Sequence, residues 1–286
     1  MRCKYPITNI EKGRAFGCGR CVTCRINKRR QWTNRIVLES SLQKDNTFIT
    51  LTYSDENLPE DLSVCKYELQ KFIKRLRKQH EIRYFAVGEY GSQTNRPHYH
   101  VIAFGHPNCL YGRTRGKNCC PICLSMAKTW GLGHIYLGEV SDDSAGYVAG
   151  YVVKGWTREL PLDRSPEFTL KSLKPGIGEG FAHEMASELL RLDRGSVPRS
   201  VRRNGRLWPL GRYMLEKVSE YTGGLPIEKA WEDKEVLDLS EVIYNDPTIR
   251  PDQKAWRLRA AVIDRNYDRI NLLEKKWNKA VKGRTL

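Results

Sequence analysis

Two histidines one residue apart are the first motif in this chain that could carry chemistry. His98 and His100 begin a run of β-prone residues that ends at Phe104 and is bounded by Pro97 and Gly105. The run predicts a β-strand, on which side chains two residues apart point to the same face. Two neutral imidazoles side by side suit a divalent metal ion. The alternative is a pair of unrelated histidines on a half-exposed strand edge.

A carboxylate is expected beside the two histidines. Residues 82–89 predict a strand and residues 91–95 a turn, so this strand would form a hairpin with the histidine strand. Glu89 would then lie near His98 and His100. Two imidazoles and one carboxylate, with coordination positions left open, suit Mg²⁺ or Mn²⁺ in an enzyme that acts on phosphates. The alternative for Glu89 is a solvated acidic residue close to a turn.

A helix predicted at residues 145–156 carries two tyrosines and a lysine. Tyr147 and Tyr151 are four residues apart and share one helical face, and Lys154 follows on the same face. A tyrosine hydroxyl has a pKa near 10, so its attack on phosphorus needs a cation, from metal or Lys154, to stabilise the developing charge. The alternative is a pair of core tyrosines with hydroxyls that reach solvent. The lysine in register and the nearby histidine motif favour the nucleophile interpretation.

The chain contains nine cysteines, which in an intracellular protein indicate metal binding rather than disulfides. The first group has two overlapping C-x-x-C steps and is predicted to bind structural zinc through Cys3, Cys18, Cys21 and Cys24. The second group is predicted to bind zinc through His106, Cys109, Cys120 and Cys123, with Cys119 as an alternative ligand. Each zinc ion would hold a segment too short to build its own core. Reduced, buried thiols are the alternative for both groups.

The charge of the chain favours a polyanionic partner. The 286 residues carry a formal net charge of +16, with basic clusters at residues 25–30, 71–78 and 199–206. Phosphates neutralised by such clusters release counterions, which drives nucleic-acid binding. The alternative is a basic surface that serves only solubility. No apolar run reaches the ~18 residues that a membrane span needs. The first residues also lack a secretory signal, so we expect a soluble, intracellular protein without a membrane partner.

Taken in chain order, these motifs resemble those of the replication initiators of microviruses, the small isometric single-stranded DNA phages. The resemblance is strongest to the gokushovirus branch, and these proteins belong to the HUH endonuclease class. Three segments carry it: residues 47–53, residues 96–100 with Glu89 upstream, and residues 147–154. Residues 18–30, 176–178 and 209–213 are also similar to family segments. The chain departs from the family pattern at Gly150, where related phages place a lysine before the second tyrosine.

The resemblance implies a protein that nicks and rejoins a single-stranded DNA origin. His98, His100 and Glu89 would bind the divalent ion, and Tyr147 or Tyr151 would attack the scissile phosphate. Cleavage would leave a 5′-phosphotyrosine bond and a 3′-hydroxyl that the host replication machinery extends, in the cytoplasm of the bacterial host cell. A non-catalytic zinc-containing DNA-binding protein and a related HUH transposase or relaxase are the alternatives. The motifs do not predict an oligomeric state.

The resemblance also implies an α+β fold. We expect a central antiparallel sheet with helices packed mainly on one face, similar to the RNA-recognition-like sheet of the HUH class. The metal would lie on the open face, with the tyrosine helix alongside. Residues 47–53 and 133–140 predict further strands of this sheet. Residues 25–42 and 125–130 predict helices, and a basic amphipathic helix is predicted through Leu69 and Leu76.

Three consecutive regions are expected along the chain. They are residues 1–45 (cysteine-rich segment and basic helix), 46–160 (nuclease core, with a zinc-knuckle-like insertion at 105–124) and 161–286 (basic loop and helical C-terminal region). Within the last region, loops are predicted at residues 161–180 and 196–206, the second a basic arm for phosphate contact. Helices are predicted at residues 183–192 and 252–282. The last helix would fold back on the domain or offer a surface to DNA or a second subunit.

Overall fold

The computed structural model describes residues 3–9, 14–91, 94–116, 118–154, 164–228 and 231–282, with the backbone alone for residues 8–9, 14–15, 154, 231–235 and 280–282. The chain forms two compact units. The larger comprises residues 29–195 and 200–225, and the smaller residues 1–28, 196–199 and 226–286. This division does not follow the three consecutive regions expected from the sequence, because the chain returns after residue 225 to the unit that contains its first residues.

Strands and helices alternate through most of the described chain. The strands are β1 (Ile7–Asn9), β2 (Arg14–Phe16), β3 (Asn46–Tyr53), β4 (Arg83–Tyr90), β5 (Pro97–Phe104), β6 (Gly133–Gly138), β7 (Phe168–Lys171), β8 (Ser200–Arg203) and β9 (Arg206–Pro209). The helices are α1 (Val22–Ser40), α2 (Lys66–Arg77), α3 (Pro121–Trp130), α4 (Asp142–Lys154), α5 (Glu179–Arg191), α6 (Gly211–Tyr221), α7 (Trp231–Asn245) and α8 (Pro251–Lys282).

The larger unit is built on a five-stranded antiparallel sheet with the strand order β6-β3-β5-β4-β7. The four strands predicted at residues 47–53, 82–89, 97–104 and 133–140 are confirmed, and they are the first four in that order. The loop predicted at residues 161–180 is wrong over Phe168–Lys171, which pairs with β4 at the sheet edge. This strand has four residues, all of intermediate burial, so it lacks the alternation that identifies longer strands.

Helices cover both faces of this sheet, which corrects the expectation of helices mainly on one face. One face packs against α2 and α3, with Phe72 and Trp130 at its centre. The other packs against α4 and the part of α1 that belongs to the larger unit, with Ile36, Phe85 and Val148 in that core. The middle strands β4 and β5 are apolar on both sides, and such strands need cover on both faces.

A two-stranded hairpin, β8–β9, replaces the basic loop predicted at residues 196–206. Asn204 and Gly205 have φ values of +49° and +71°, as in the two-residue turns that match strand twist. The hairpin docks on α1, where Arg30 Nη2 donates to Leu207 O at 3.1 Å and Asn34 Nδ2 donates to Pro209 O at 3.2 Å. Its arginine-rich sequence lacks the apolar residues that usually identify strands.

The smaller unit contains the β1–β2 hairpin and the helix pair α7–α8. The helix predicted at residues 252–282 is confirmed as α8. It packs against α7, which the sequence analysis did not predict, through a small core of Val236, Ile243, Ile249, Leu258 and Val262. Within the part of the chain that the structure describes, no helix combines the length and apolar character needed to cross a membrane.

Candidate functional site

The hairpin of β4 and β5 brings the carboxylate to the two histidines. Glu89 lies directly opposite His98 in the strand register, and His100 follows on the same face. Glu89 Oε1 lies 3.0 Å from His98 Nε2 and 2.7 Å from His100 Nε2. One donor atom from each of the three residues lies within 4.8 Å of the others. The predicted juxtaposition of these three side chains is therefore observed.

Further contacts orient both imidazole rings. His98 Nδ1 donates to Arg96 O at 3.0 Å, and because a carbonyl only accepts, this nitrogen carries the proton. The Nε2 atom of a neutral His98 then has its lone pair directed to the Glu89 side. His100 Nδ1 lies 3.0 Å from Thr50 Oγ1, and its ring stacks on Phe48 at 5.4 Å between centroids. Such second contacts fix the tautomer and orientation of metal-binding histidines.

Electrostatics keep the Glu89 carboxylate charged although it is buried, with 2% of the residue exposed. Burial raises its pKa, but hydrogen bonds from His100 and His98 outweigh this effect and lower the pKa to about 2. For His98, burial lowers the pKa, and the hydrogen bond to Glu89 outweighs it, so the pKa is raised. Glu89 is therefore available as an anionic ligand throughout the neutral pH range.

Helix α4 places both tyrosines at the same site. Tyr147 Oη donates to Glu89 Oε1 at 2.7 Å, and Tyr151 Oη donates to Tyr147 Oη at 2.9 Å. The Tyr147 ring also meets the His100 ring edge-on, with centroids 5.0 Å apart. The two phenols are unequal, because Tyr147 is 37% exposed and Tyr151 only 7%. Lys154 is the last residue of α4, and its side chain lies outside the described residues.

Arg29 of α1 is a site residue that the sequence analysis did not single out. Its Nε donates to Gly146 O of α4 at 2.8 Å. A Cβ atom at Gly150 would lie 3.7 Å from the same Nε, so this arginine crosses the helix where both glycines leave room. Arg29 therefore fixes α4 between the two tyrosine positions. The only sequence signal was its membership of the basic cluster at residues 25–30.

The two cysteine groups are each brought together, but the second differs from the predicted set. The first group is the predicted one, Cys3, Cys18, Cys21 and Cys24. In the second group the alternative ligand takes the fourth position, giving Cys109, Cys119, Cys120 and Cys123.

His106 lies elsewhere and is not part of the second cysteine group. Its Nδ1 donates to Pro107 O at 2.7 Å, and its ring packs against His80 at 4.6 Å between centroids. Burial, followed by the nearby His80, lowers the His106 pKa to about 4. Gly105 causes this placement: its φ of +87° turns the chain, and a Cβ there would lie 2.9 Å from Glu81 O.

The fold and site together define a mixed α+β protein whose sheet presents two histidines and a carboxylate to two tyrosines on one helix. The family model of the replication-associated protein ORF2 matches residues 46–156, which contain β3 to β6 and most of the site. No solved structure matches the chain.

Three curated phage proteins are similar to the chain. It is 37% identical over 215 residues to the replication-associated protein VP4 of Bdellovibrio phage phiMH2K, covering 70% of this chain and 66% of that protein. It is 30% identical over 286 residues to the replication-associated protein ORF2 of Spiroplasma virus 4, covering 94% and 84%. It is 26% identical over 171 residues to the replication-associated protein ORF4 of Chlamydia phage 1, covering 55% and 42%. The chain therefore belongs to the family of phage replication-associated proteins, which confirms the resemblance to microvirus replication initiators.

Proposed function

We propose that this protein initiates rolling-circle replication by nicking a single-stranded DNA origin with a tyrosine and later rejoining the ends. One observation carries the proposal. The Tyr147 hydroxyl lies 2.7 Å from Glu89 Oε1, the same oxygen that contacts both histidines. A nucleophile and a divalent-ion site are thereby combined at one point of the sheet, in a member of a DNA replication family.

The donor set fits a hard divalent ion, Mg²⁺ or Mn²⁺. Glu89, His98 and His100 supply one carboxylate oxygen and two imidazole nitrogens, and the opposite ring nitrogens of both histidines are already engaged. These three residues would hold the ion on the sheet face that carries α4. When bound, it supplies charge stabilisation to the scissile phosphate and orients it for in-line attack.

The residues of the chain divide the reaction between two phenols. Tyr147 Oη attacks phosphorus, a Tyr–O–P bond forms, and the bond from phosphorus to the 3′-oxygen breaks. The phenol proton passes to water, and the leaving oxygen becomes a 3′-hydroxyl that host polymerase extends. After one circuit Tyr151 cuts the regenerated origin, and the freed 3′-hydroxyl attacks the first phosphotyrosine to close the circle. The covalent bond conserves the energy of the broken one, so rejoining needs no nucleoside triphosphate.

The β8–β9 hairpin is positioned to contact phosphates next to the cleaved one. Arg202 and Arg206 are exposed on it. Arg203 forms an ion pair with Asp142 in the first turn of α4, and its guanidinium stacks on Trp208 at 4.6 Å. Asp142 precedes Tyr147 by five residues, about 7.5 Å along the helix at 1.5 Å per residue. Single-stranded DNA at the tyrosines would therefore pass close to these basic side chains in the host cytoplasm.

Covalent adduct formation tests this proposal. Full-length protein is mixed with Mn²⁺ and a labelled single-stranded origin oligonucleotide, and products are separated on a denaturing gel. We expect a protein–DNA adduct that depends on the ion and is lost in the double variant Tyr147→Phe/Tyr151→Phe. Tyr67→Phe serves as the matched control, because Tyr67 is exposed on α2, whose core packs on the opposite face of the sheet.

Two results would reject nicking by these tyrosines. One is DNA binding by the wild type without any adduct, which would favour the non-catalytic DNA-binding alternative. The other is an undiminished adduct in the double variant, which would place the nucleophile elsewhere.

A further inference from the structure

We propose that eight of the nine cysteines bind two structural zinc ions, one in each group of four thiolates. The first group is Cys3, Cys18, Cys21 and Cys24, in the smaller unit, and the second is Cys109, Cys119, Cys120 and Cys123, in the larger unit. Neither group belongs to the nicking site, so the inference holds or fails independently of the proposed reaction.

The spacing of the sulfur atoms matches a tetrahedral zinc site. With Zn–S bonds of about 2.3 Å, the sulfurs of a tetrahedron lie about 3.8 Å apart. The Sγ atoms of Cys109 are 3.5 Å from Cys119 and 3.9 Å from Cys120, and Cys120 is 3.5 Å from Cys123. In the first group, Cys3 and Cys21 are 3.8 Å apart. Disulfide sulfurs would lie at about 2.05 Å, so these groups are not bridged pairs.

Backbone amides are directed at the sulfurs, as around bound thiolates. Cys3 Sγ accepts from Tyr5 N at 3.3 Å and from Cys18 N at 3.2 Å. Cys18 Sγ accepts from Cys21 N at 3.4 Å. Such outer contacts orient ligands and offset their negative charge.

The same arrangement surrounds the second group. Cys119 Sγ accepts from Arg115 N at 3.1 Å. Four-sulfur tetrahedral sites suit zinc or iron, and we assign zinc because both groups are closed and have a structural setting.

The first zinc ion would close the base of a small hairpin. Cys3 precedes β1, and Cys18 follows β2. An isolated two-stranded hairpin is marginally stable in water, so it needs an additional constraint. A metal bound on both sides of the hairpin supplies that constraint, because metal binding contributes directly to folding free energy.

The second zinc ion would hold a loop across the edge of the main sheet. β6 is an edge strand, and Thr114 pairs with it: Thr114 N donates to Leu137 O at 2.9 Å, and Leu137 N donates to Thr114 Oγ1 at 2.8 Å. Thr114 Oγ1 also lies 3.4 Å from Cys123 Sγ. Unprotected edge strands invite pairing with other chains, so the zinc-held loop shields this edge.

Metal analysis of the purified full-length protein tests the inference. We expect two zinc ions per chain for the wild type and about one each for Cys18→Ser and Cys119→Ser. Two matched controls should keep both ions: Cys65→Ser, which removes the cysteine outside the groups, and His106→Ala, which removes the ligand predicted from spacing. Far-UV circular dichroism checks that each variant is folded.

A cobalt titration decides the matter if a serine variant fails to fold. Wild-type protein stripped of metal and titrated with Co²⁺ should take up two equivalents and develop sulfur-to-cobalt charge-transfer absorption typical of tetrahedral thiolate sites. Fewer than two metal ions per chain, iron in place of zinc in the purified protein, or loss of one ion from His106→Ala but not from Cys119→Ser would overturn the assignment.

Discussion

Tyr147 and Tyr151 differ in their relation to the metal-ligand group. Tyr147 contacts Glu89 directly and is partly exposed, whereas Tyr151 reaches Glu89 only through the Tyr147 hydroxyl and is buried. A scissile phosphate that approaches from solvent therefore meets Tyr147 first. The hydrogen bond between the phenols also allows one to replace the other after a modest shift, as two successive cuts require.

The unequal phenols predict unequal single variants. Tyr147→Phe should lower the initial rate of adduct formation by at least ~100-fold, since it removes the nucleophile for the first cut. Tyr151→Phe should retain most of the first cut and lose the closing of the circle. Adduct kinetics and a rejoining assay on the same oligonucleotides measure both steps. Equal losses in the first cut would contradict the assignment of Tyr147 to that step.

At the residue scale, short-range periodicity was sufficient to predict the catalytic group. Strand geometry placed His98 and His100 together, the hairpin brought Glu89 back, and helix geometry aligned the tyrosines. Arg29 could not be predicted, because its contact with Gly146 depends on how two helices cross. His106 was wrongly favoured over Cys119 because the turn at Gly105, which directs it away, has no signature in cysteine spacing.

At the scale of elements, α4 is held by contacts at two points. Arg29 of α1 binds Gly146 near the middle, and Arg203 of the β8–β9 hairpin pairs with Asp142 in the first turn. The hairpin itself docks on α1 through Arg30 and backbone carbonyls. The tyrosine helix, the basic helix and the hairpin therefore form one supported surface beside the metal-ligand group.

Charge reversal on the hairpin should weaken DNA binding without altering the chemistry of the site. Arg202→Glu/Arg206→Glu should lower affinity for single-stranded DNA and reduce the salt dependence of log K by about 1.4, or about 0.7 per phosphate contact. Fluorescence anisotropy across a salt series measures both quantities.

The matched control for the hairpin variant changes equal charge on α2. Lys71→Glu/Lys74→Glu alters exposed residues of a helix that covers the other face of the sheet, and it should leave the salt slope nearly unchanged. Equal losses in both double variants would show that the hairpin contributes only to the general field of the protein.

At the scale of the molecule, the main sheet could be predicted but its surroundings could not. The strongly β-prone strands β3 to β6 have clear sequence signals, and all four were found. The hydrophobic strands β4 and β5 also needed cover on both faces, which the resemblance did not indicate. β7 and the β8–β9 hairpin are too short and too polar to predict. The grouping of the first residues with α7 and α8 depends on long-range contacts that no local pattern contains.

The high positive charge of the whole chain is consistent with a DNA partner, and the family places the protein in phage DNA replication. The unifying claim is that a phenol of α4 reacts at a phosphate bound beside Glu89, His98 and His100. That claim concerns one covalent bond in one place, so it can be examined by direct chemical identification.

Mass spectrometry of the digested protein–DNA adduct is that measurement. After cleavage of a labelled origin oligonucleotide in Mn²⁺ and tryptic digestion, the nucleotide should be attached through phosphate to Tyr147 in most adducts and to Tyr151 in the rest. A nucleotide attached to any other residue would contradict the account, because the nucleophile would then lie away from the site that the two histidines and Glu89 form.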